Sequence, residues 1–372
     1  MGYSFKGKLL GEGQVKPPSP KEQVAFLTNL QRLLSEGSFT ATYKYALLLA
    51  LADIAVESGD DSGDVMEIET RAIAEKFVQY YWRQAVPFLP KFERRNGEVL
   101  LQNTNQKKQA AVISRIIDEQ NAFGDSLTAL RRSRSRWNRL ISKVNGVVKK
   151  MPLWKLQVLG GEVSDFLYPN VGRGDRVQLR PGIGYCLRHF HGIFVDLVQG
   201  AWTRYVRRNN SEVLGSKTDL SEFLFGSERA DLSDLRPVLE DIQSKRCFYC
   251  EKEIASVGHV DHFVPWSRYP VDLGHNFVVA HRSCNLAKAD HLAAAEFLDK
   301  WVQRNRDRSD VLCEAFDLSG IIHDRTVSSR VAQWAYGLVE GAGGLTWVRG
   351  NDLTRLPRGW RSCFRQEAQA CF

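Results

Sequence analysis

Two short motifs constrain this chain more than anything else in it. "CFYC" sets Cys247 and Cys250 in a C-x2-C pair, and "HRSC" sets His281 and Cys284 in an H-x2-C pair further on. Two such pairs, each on a tight turn, let a chain close a tetrahedral zinc site. With all four positions filled by protein, none is left for water, so the Zn²⁺ is expected to be structural. The alternative, four unrelated thiols and imidazoles, needs two correctly spaced pairs to arise without purpose. The stretch from Cys247 to Leu292 holds three of the seven cysteines and five of the eight histidines. Cys186, Cys313, Cys363 and Cys371 are scattered singly, a pattern of reduced thiols rather than a disulfide framework.

A second set of polar residues lies inside that staple. Asp261 and His262 are adjacent on an extended segment, Asn276 follows a loop, and Asn285 and Lys288 open the next helix. A strand, a loop, a second strand "NFVVAH" and a helix from near Cys284 predict a ββα finger. Successive strand residues face opposite ways, so Asp261 and His262 can do different jobs.

The order C-x2-C, D-H, N, H-x2-C-N-x2-K resembles the HNH (ββα-metal) endonucleases in their zinc-stapled form, over about residues 245–300. Many members carry Cys where this chain has His281, a change that zinc tolerates. The resemblance implies that His262 is the general base. It implies that Asp261 and Asn285 hold one Mg²⁺ or Mn²⁺ bridging the scissile phosphate and the leaving 3′-oxygen. By the same resemblance Asn276 bonds the backbone of the His262 loop, and Lys288 holds a phosphate oxygen. His259, His275 and His291 read as non-catalytic, His291 being an extra metal-shell candidate, and Pro265 and Trp266 read as packing. "TATYKYALLLALADIAVE", "PGIGYCLRHFHGIFVDLVQGAW" and "FLFGSERADL" are similar to segments of stand-alone bacterial HNH proteins from anti-phage defence islands, such as the HNH effector of type II Zorya systems. That similarity implies a defence role and defence-system partner proteins.

The remainder reads as helical. "KEQVAFLTNLQRLLSEG" sets Val24, Leu27, Leu30 and Leu34 on one face and stops at Gly37, and "ATYKYALLLALADIAVES" is apolar nearly all round and therefore central. The acidic residues 57–69 read as a solvated loop. "RHFHGIFVDLVQGAWTRYVRRNN" sets Phe190, Phe194, Leu197, Val198 and Trp202 inward, and "HLAAAEFLDKWVQRNRD" does the same with Leu292, Phe297, Leu298 and Trp301. The expected fold is mainly α with a small α+β part. Its expected divisions are a flexible lead-in (1–20), an α-helical N-terminal domain (21–125), a basic helical middle region (126–240), the zinc-stapled HNH domain (241–302) and a helical C-terminal extension (303–372).

With 372 residues, a formal charge of +8 and a pI near 9.1, the chain is basic enough to suit a polyanionic partner. Between Ser126 and Gly161 there is no acidic residue, yet Arg131, Arg132, Arg134, Arg136, Arg139, Lys143, Lys149, Lys150 and Lys155 all occur. A charge run is usually a solvated face. Here the uncompensated cations point to a phosphate-facing surface for double-stranded DNA. No apolar run is long enough to span a membrane, and the N-terminus lacks a secretory apolar core, so a cytoplasmic enzyme is expected.

The first expectation is a metal-dependent DNA endonuclease that nicks one strand per finger. RNA cleavage and a zinc-stabilised binding module without catalysis are the competing classes. Asp261, His262 and Asn285 together favour catalysis, since a mere binding module needs none of them. The two layers are separable: Cys247→Ser is expected to lose zinc and unfold the finger, whereas His262→Ala keeps zinc, fold and DNA affinity and loses cleavage. Zinc content and far-UV circular dichroism check this, and equal unfolding of both variants would refute the division.

Overall fold

The computed structural model describes residues 16–88, 97–105, 107–170, 174–214, 219–226, 232 and 235–365. Most of the expected lead-in (residues 1–15) and Cys371 lie outside the described residues. Helical periodicity becomes α1 (Pro20–Glu36) and α2 (Tyr43–Ser58), and after β1 (Met66–Glu69) come α3 (Thr70–Trp82), α4 (Ala111–Phe123), α5 (Leu127–Arg132), α6 (Arg134–Lys150) and α7 (Pro152–Lys155). Next are β2 (Val158–Leu159), β3 (Glu162–Val163), β4 (Arg176–Leu179), α8 (Ile183–His189), α9 (His191–Asn209), α10 (Leu220–Phe225) and α11 (Arg236–Ile242). The finger is β5 (His259–His262), β6 (Phe277–Ala280) and α12 (Arg282–Lys288). The chain then runs through α13 (Ala295–Asp307), α14 (Ser309–Ser319), α15 (Arg325–Gly341), β7 (Leu345–Arg349) and β8 (Asp352–Arg355). The protein is therefore mainly helical with small two-stranded antiparallel sheets. Among the described residues no helix is long and apolar enough to cross a membrane.

A helix apolar on every side must be buried on every side, and α2 is: Lys44 through Ala52 and Ile54 through Val56 are all buried. It packs against α3, α8, α9 and α15. α1 opens on a capping box, in which Ser19 and Glu22 bond each other's backbone N–H groups, and closes at Gly37. Its inward face is Phe26, Leu30 and Leu33, with Val24 exposed, a rotation from the expected Val24–Leu27–Leu30–Leu34 stripe that brings the larger Phe26 into the core. α9 buries Phe194, Val198 and Trp202 as its spacing predicts, but leaves Leu197 exposed.

The described chain has two hydrophobic cores. One runs from Phe26 to Leu224, so the expected 21–125 and 126–240 regions share a core, with α6 lying against α3. The other runs from Leu235 to Phe364 and joins the finger to the C-terminal helices. Val56, near the end of α2, belongs to this second core, which makes α2 the joint between the two.

Polar contacts lock that joint. Glu57 accepts from Lys76 Nζ at 2.7 Å and from Tyr269 Oη at 2.5 Å. Arg188 donates to the carbonyls of Ala55 and Val56 and to Asp61, and its own carbonyl accepts from Trp334 Nε1. The acidic 57–69 stretch is thus not the solvated loop its composition predicts: Glu57 and Asp61 tie elements together, and Met66–Glu69 forms β1, paired antiparallel with β4.

Beside the joint, Asp53 Oδ1 is 2.8 Å from His191 Nε2, and Tyr80 Oη donates to Asp53 Oδ2 at 2.6 Å. Burial pushes the Asp53 carboxyl up, but these bonds and the nearby Lys76 outweigh it and hold it below its ordinary value. A carboxylate with a depressed folded pKa contributes stability above its unfolded value, about 3.9, and loses it as pH falls through the folded value. Asp53→Asn is expected to lower the urea midpoint at pH 7, with the gap to wild type narrowing below about pH 4. A gap that does not change with pH would disprove the linkage.

Candidate metal centre and the ββα finger

The ligand atoms of Cys247, Cys250, His281 and Cys284 all lie within 4.8 Å of one another, a spacing that one metal ion can bridge. Cys247 and Cys250 sit on a knuckle: Cys247 N–H donates to Lys252 O, Glu251 N–H donates to Cys247 O, and Glu251 takes the left-handed φ of 59° that such a turn requires. Phe248 N–H donates to Val279 O and docks the knuckle on β6. His281 is the N-cap of α12 and Cys284 lies in its first turn.

His281 Nδ1 is 3.2 Å from Cys250 Sγ, and its Nε2 is 3.0 Å from the Glu253 carbonyl. A carbonyl accepts only from N–H, so Nε2 carries the proton and the Nδ1 lone pair faces the thiols, the outer-shell arrangement of a metal-bound histidine. Burial works against ionising Cys247, but backbone N–H groups of Cys250, His281 and Tyr249 hold its thiol below the ordinary value. Burial and the neighbouring Cys247 push Cys284 up to about 12. Thiols this crowded ionise together only around a cation, so the donor set fits a Zn²⁺ ion that would be held by all four side chains. His291 is exposed and stands outside the group.

β5 and β6 pair antiparallel with Asp261 opposite Val278 and His262 opposite Phe277. The predicted alternation holds: Asp261 and His262 have separate partners. His262 sits between the rings of Trp266 and Phe277, centroids 4.9 and 5.0 Å away, and its Nε2 is 2.8 Å from Asp272 Oδ1. Asn276 clamps the segment after His262: Oδ1 accepts from Val264 N–H at 2.8 Å, Nδ2 donates to Val264 O at 3.0 Å, and its carbonyl accepts from Phe263 N–H.

The expected role of Lys288 is not compatible with its position. It is 0% exposed, and its ammonium lies 3.1 Å from Asp261 Oδ2 and donates to the His262 carbonyl, so it faces inward and not towards a phosphate. Asp261 is correspondingly occupied, with Tyr249 Oη donating to it at 2.5 Å. Burial and the Asp261 charge hold the Tyr249 phenol well above its ordinary pKa, so it stays a donor. Asp261 therefore does not stand as an open cation ligand, as expected from the D-H pair, because a buried carboxylate needs a counter-charge and Lys288 supplies it. Asn285 is half-exposed on α12, one turn before Lys288.

His275 is buried, with its ring pushed down to about 3 by burial and by Arg304, so it stays neutral. His259 is exposed. The residue that sequence reasoning missed is Asp272: it lies in the loop "RYPVDLGHN", where a lone acid carries no signal until the loop folds back on β5.

The basic run divides. Arg136 pairs with Glu119, Lys149 with Asp175, Arg134 reaches Asp317 at 3.9 Å, Arg132 donates to the Leu318 carbonyl, and Arg131 lies over the Trp137 ring. Arg139, Lys143 and Lys150 are exposed. At about 100° per residue those three fall within about 40° of one another on one stripe of α6, to one side of its buried Leu140, Val144 and Val148.

Residues 23–161 match a family model described as a domain of unknown function, DUF8808. That match covers α1 to α7 and ends well before the finger. No curated protein and no solved structure matches the chain. Fold and site thus define a mainly helical protein carrying a ββα finger with a Cys3His group spaced to hold one metal ion.

Asn276→Ala would leave the Val264 N–H and C=O unbonded inside the core, so a loss of about 2–4 kcal/mol is expected. Denaturant unfolding of the zinc-loaded protein checks this; a loss under about 0.5 kcal/mol would mean that the clamp is dispensable.

Proposed function

We propose that the chain is a metal-dependent DNA endonuclease of the ββα-metal type with His262 as general base. The observation that carries this reading is the 2.8 Å bond between His262 Nε2 and Asp272. A carboxylate accepts from Nε2–H, which leaves the lone pair on Nδ1. There it takes the proton of a water whose oxygen attacks phosphorus as the P–O3′ bond breaks, and the leaving 3′-oxygen gains a proton from solvent. Asp272 fixes the imidazole's tautomer and favours the imidazolium as it forms, so it is a positioning residue. Asn276 holds the backbone beyond the base in place.

A Mg²⁺ or Mn²⁺ at Asp261 and Asn285 would supply positive charge to the leaving oxygen. Asp261 accepts such an ion only when Lys288 and Tyr249 release its carboxylate. The exposed α6 stripe of Arg139, Lys143 and Lys150 supports double-stranded DNA as the partner, through phosphate contacts. One finger supports nicking, and the likeness of the helical segments to HNH defence proteins supports a role in restricting phage, with defence-system partners and a cytoplasmic site of action.

A second reading, a zinc-stabilised nucleic-acid-binding module without catalysis, draws on the Asp261–Lys288 pair, which leaves both groups satisfied within the protein. A supercoiled-plasmid assay with Mg²⁺ or Mn²⁺ against EDTA separates the two. Wild type is expected to convert the plasmid to open circle, His262→Ala to lose at least about 100-fold in rate, and Asp272→Asn to lower kcat with KM unchanged. Tight, salt-sensitive DNA binding with no metal-dependent cleavage would favour the second reading.

A further inference from the structure

A cavity of about 850 Å³ lies where the two cores meet, walled by α2, α3, the α5–α6 turn, the loop at Val271 and Leu273, and the end of α14 with the start of α15. Its volume is in the range of sites for nucleotide-sized molecules. Gly320 makes its narrow side possible. With a left-handed φ of +68° it sits so close to α5 that an added Cβ would lie 2.8 Å from the Thr128 carbonyl. This approach brings the Asp317–Asp324 segment against the basic run.

Once bonded pairs are removed, the cavity keeps the guanidinium groups of Arg131 and Arg132 against the carboxylate of Asp324. Glu57 is matched by Lys76 and Tyr269, Glu75 by Arg71, and Asp317 by His323 at 3.3 Å and Arg134 at 3.9 Å, while Asp324 caps α15. Arg131, in contrast, has no hydrogen bond or ion pair with a described residue, and its guanidinium lies 5.3 Å from the centroid of the Trp137 ring. Burial lowers its pKa to about 10, with Glu75 opposing at longer range, so this is a partly desolvated cation short of a counter-ion. Arg132, bonded only to the Leu318 carbonyl, adds a second guanidinium to the same wall, and Arg134, 84% exposed at the rim, adds a third that it shares with Asp317 at 3.9 Å.

We propose that this cavity binds a phosphorylated small molecule of nucleotide size, its phosphates on Arg131, Arg132 and Arg134 and its flat ring system against Trp137. Guanidinium forks match phosphate oxygens, and a tryptophan beside them offers a stacking face. The site does not depend on the nuclease reading. Should that reading hold, the ligand would also touch Val271 and Leu273, which flank Asp272, and so reach the residue that positions His262.

Calorimetry and thermal unfolding of the full zinc-loaded chain with adenosine diphosphate and with pyrophosphate test the assignment without any cleavage readout. Adenosine diphosphate is expected to bind saturably and raise Tm by about 2 °C or more. Arg131→Gln is expected to weaken binding about 10-fold or more, and Arg134→Gln, a rim change that the fold does not rely on, to weaken it less. Trp137→Ala should bring adenosine diphosphate down to the affinity of pyrophosphate. No binding to wild type, or binding that the two arginine variants leave unchanged, would overturn the proposal. Competition by a short DNA duplex for the same arginines would reassign them to a DNA surface and overturn it equally.

Discussion

Four donor atoms within 4.8 Å of one another are the constraint on which the finger depends. β5 and β6 are four residues each and α12 is seven, lengths that do not persist alone in water. The knuckle supplies two donors and docks on β6 through Phe248, while the cap and first turn of α12 supply the other two, so one cation would tie the knuckle, and β6 through it, to α12. The hydrophobic core beneath, with Phe263 stacked on Trp301 at 5.1 Å, sets the distance between those pieces but not their chemistry. The positions of Asp261 and His262 follow from this arrangement, because both ride on β5 and β5 is held by its register with β6.

Within the finger, low dielectric decides which groups pair. A carboxylate as buried as Asp261 must be compensated, and Lys288, fully enclosed, is the nearest cation. The same logic one residue further along β5 puts Asp272 against His262. The two strand neighbours therefore end with opposite fittings: an acid neutralised by a lysine, and an imidazole oriented by an acid. Cation binding at Asp261 thus competes with an internal ammonium, whereas His262 is already oriented.

The joint at the end of α2 gives the molecule its second organising principle. Glu57 and Arg188 are buried or half-buried polar groups, Asp61 is an exposed one, and each finds partners on elements far away in sequence. Paired in this way, they fix one arrangement of the two cores where an apolar contact alone would tolerate several. The cavity beside the joint is the counterpart of that arrangement, since its walls come from both cores and it exists only when they meet.

Much of this was legible in the sequence. The ligand pairs follow from their spacing, the central burial of α2 from an apolar surface on all sides, the strand alternation at Asp261 and His262 from the period of two, and α9's inward stripe from the period of 3.6. All of these are local, and local pattern is what a sequence displays. The inward role of Lys288, the partnership of Asp272 with His262, the strand in the acidic stretch and the division of the basic run into a paired set and an exposed stripe were decided by tertiary structure. Each depends on which charges the folded chain brings together and which it leaves at the surface. The number and sign of those charges can be read residue by residue, but their pairing is set only when folding buries some of them beside a partner and leaves others exposed.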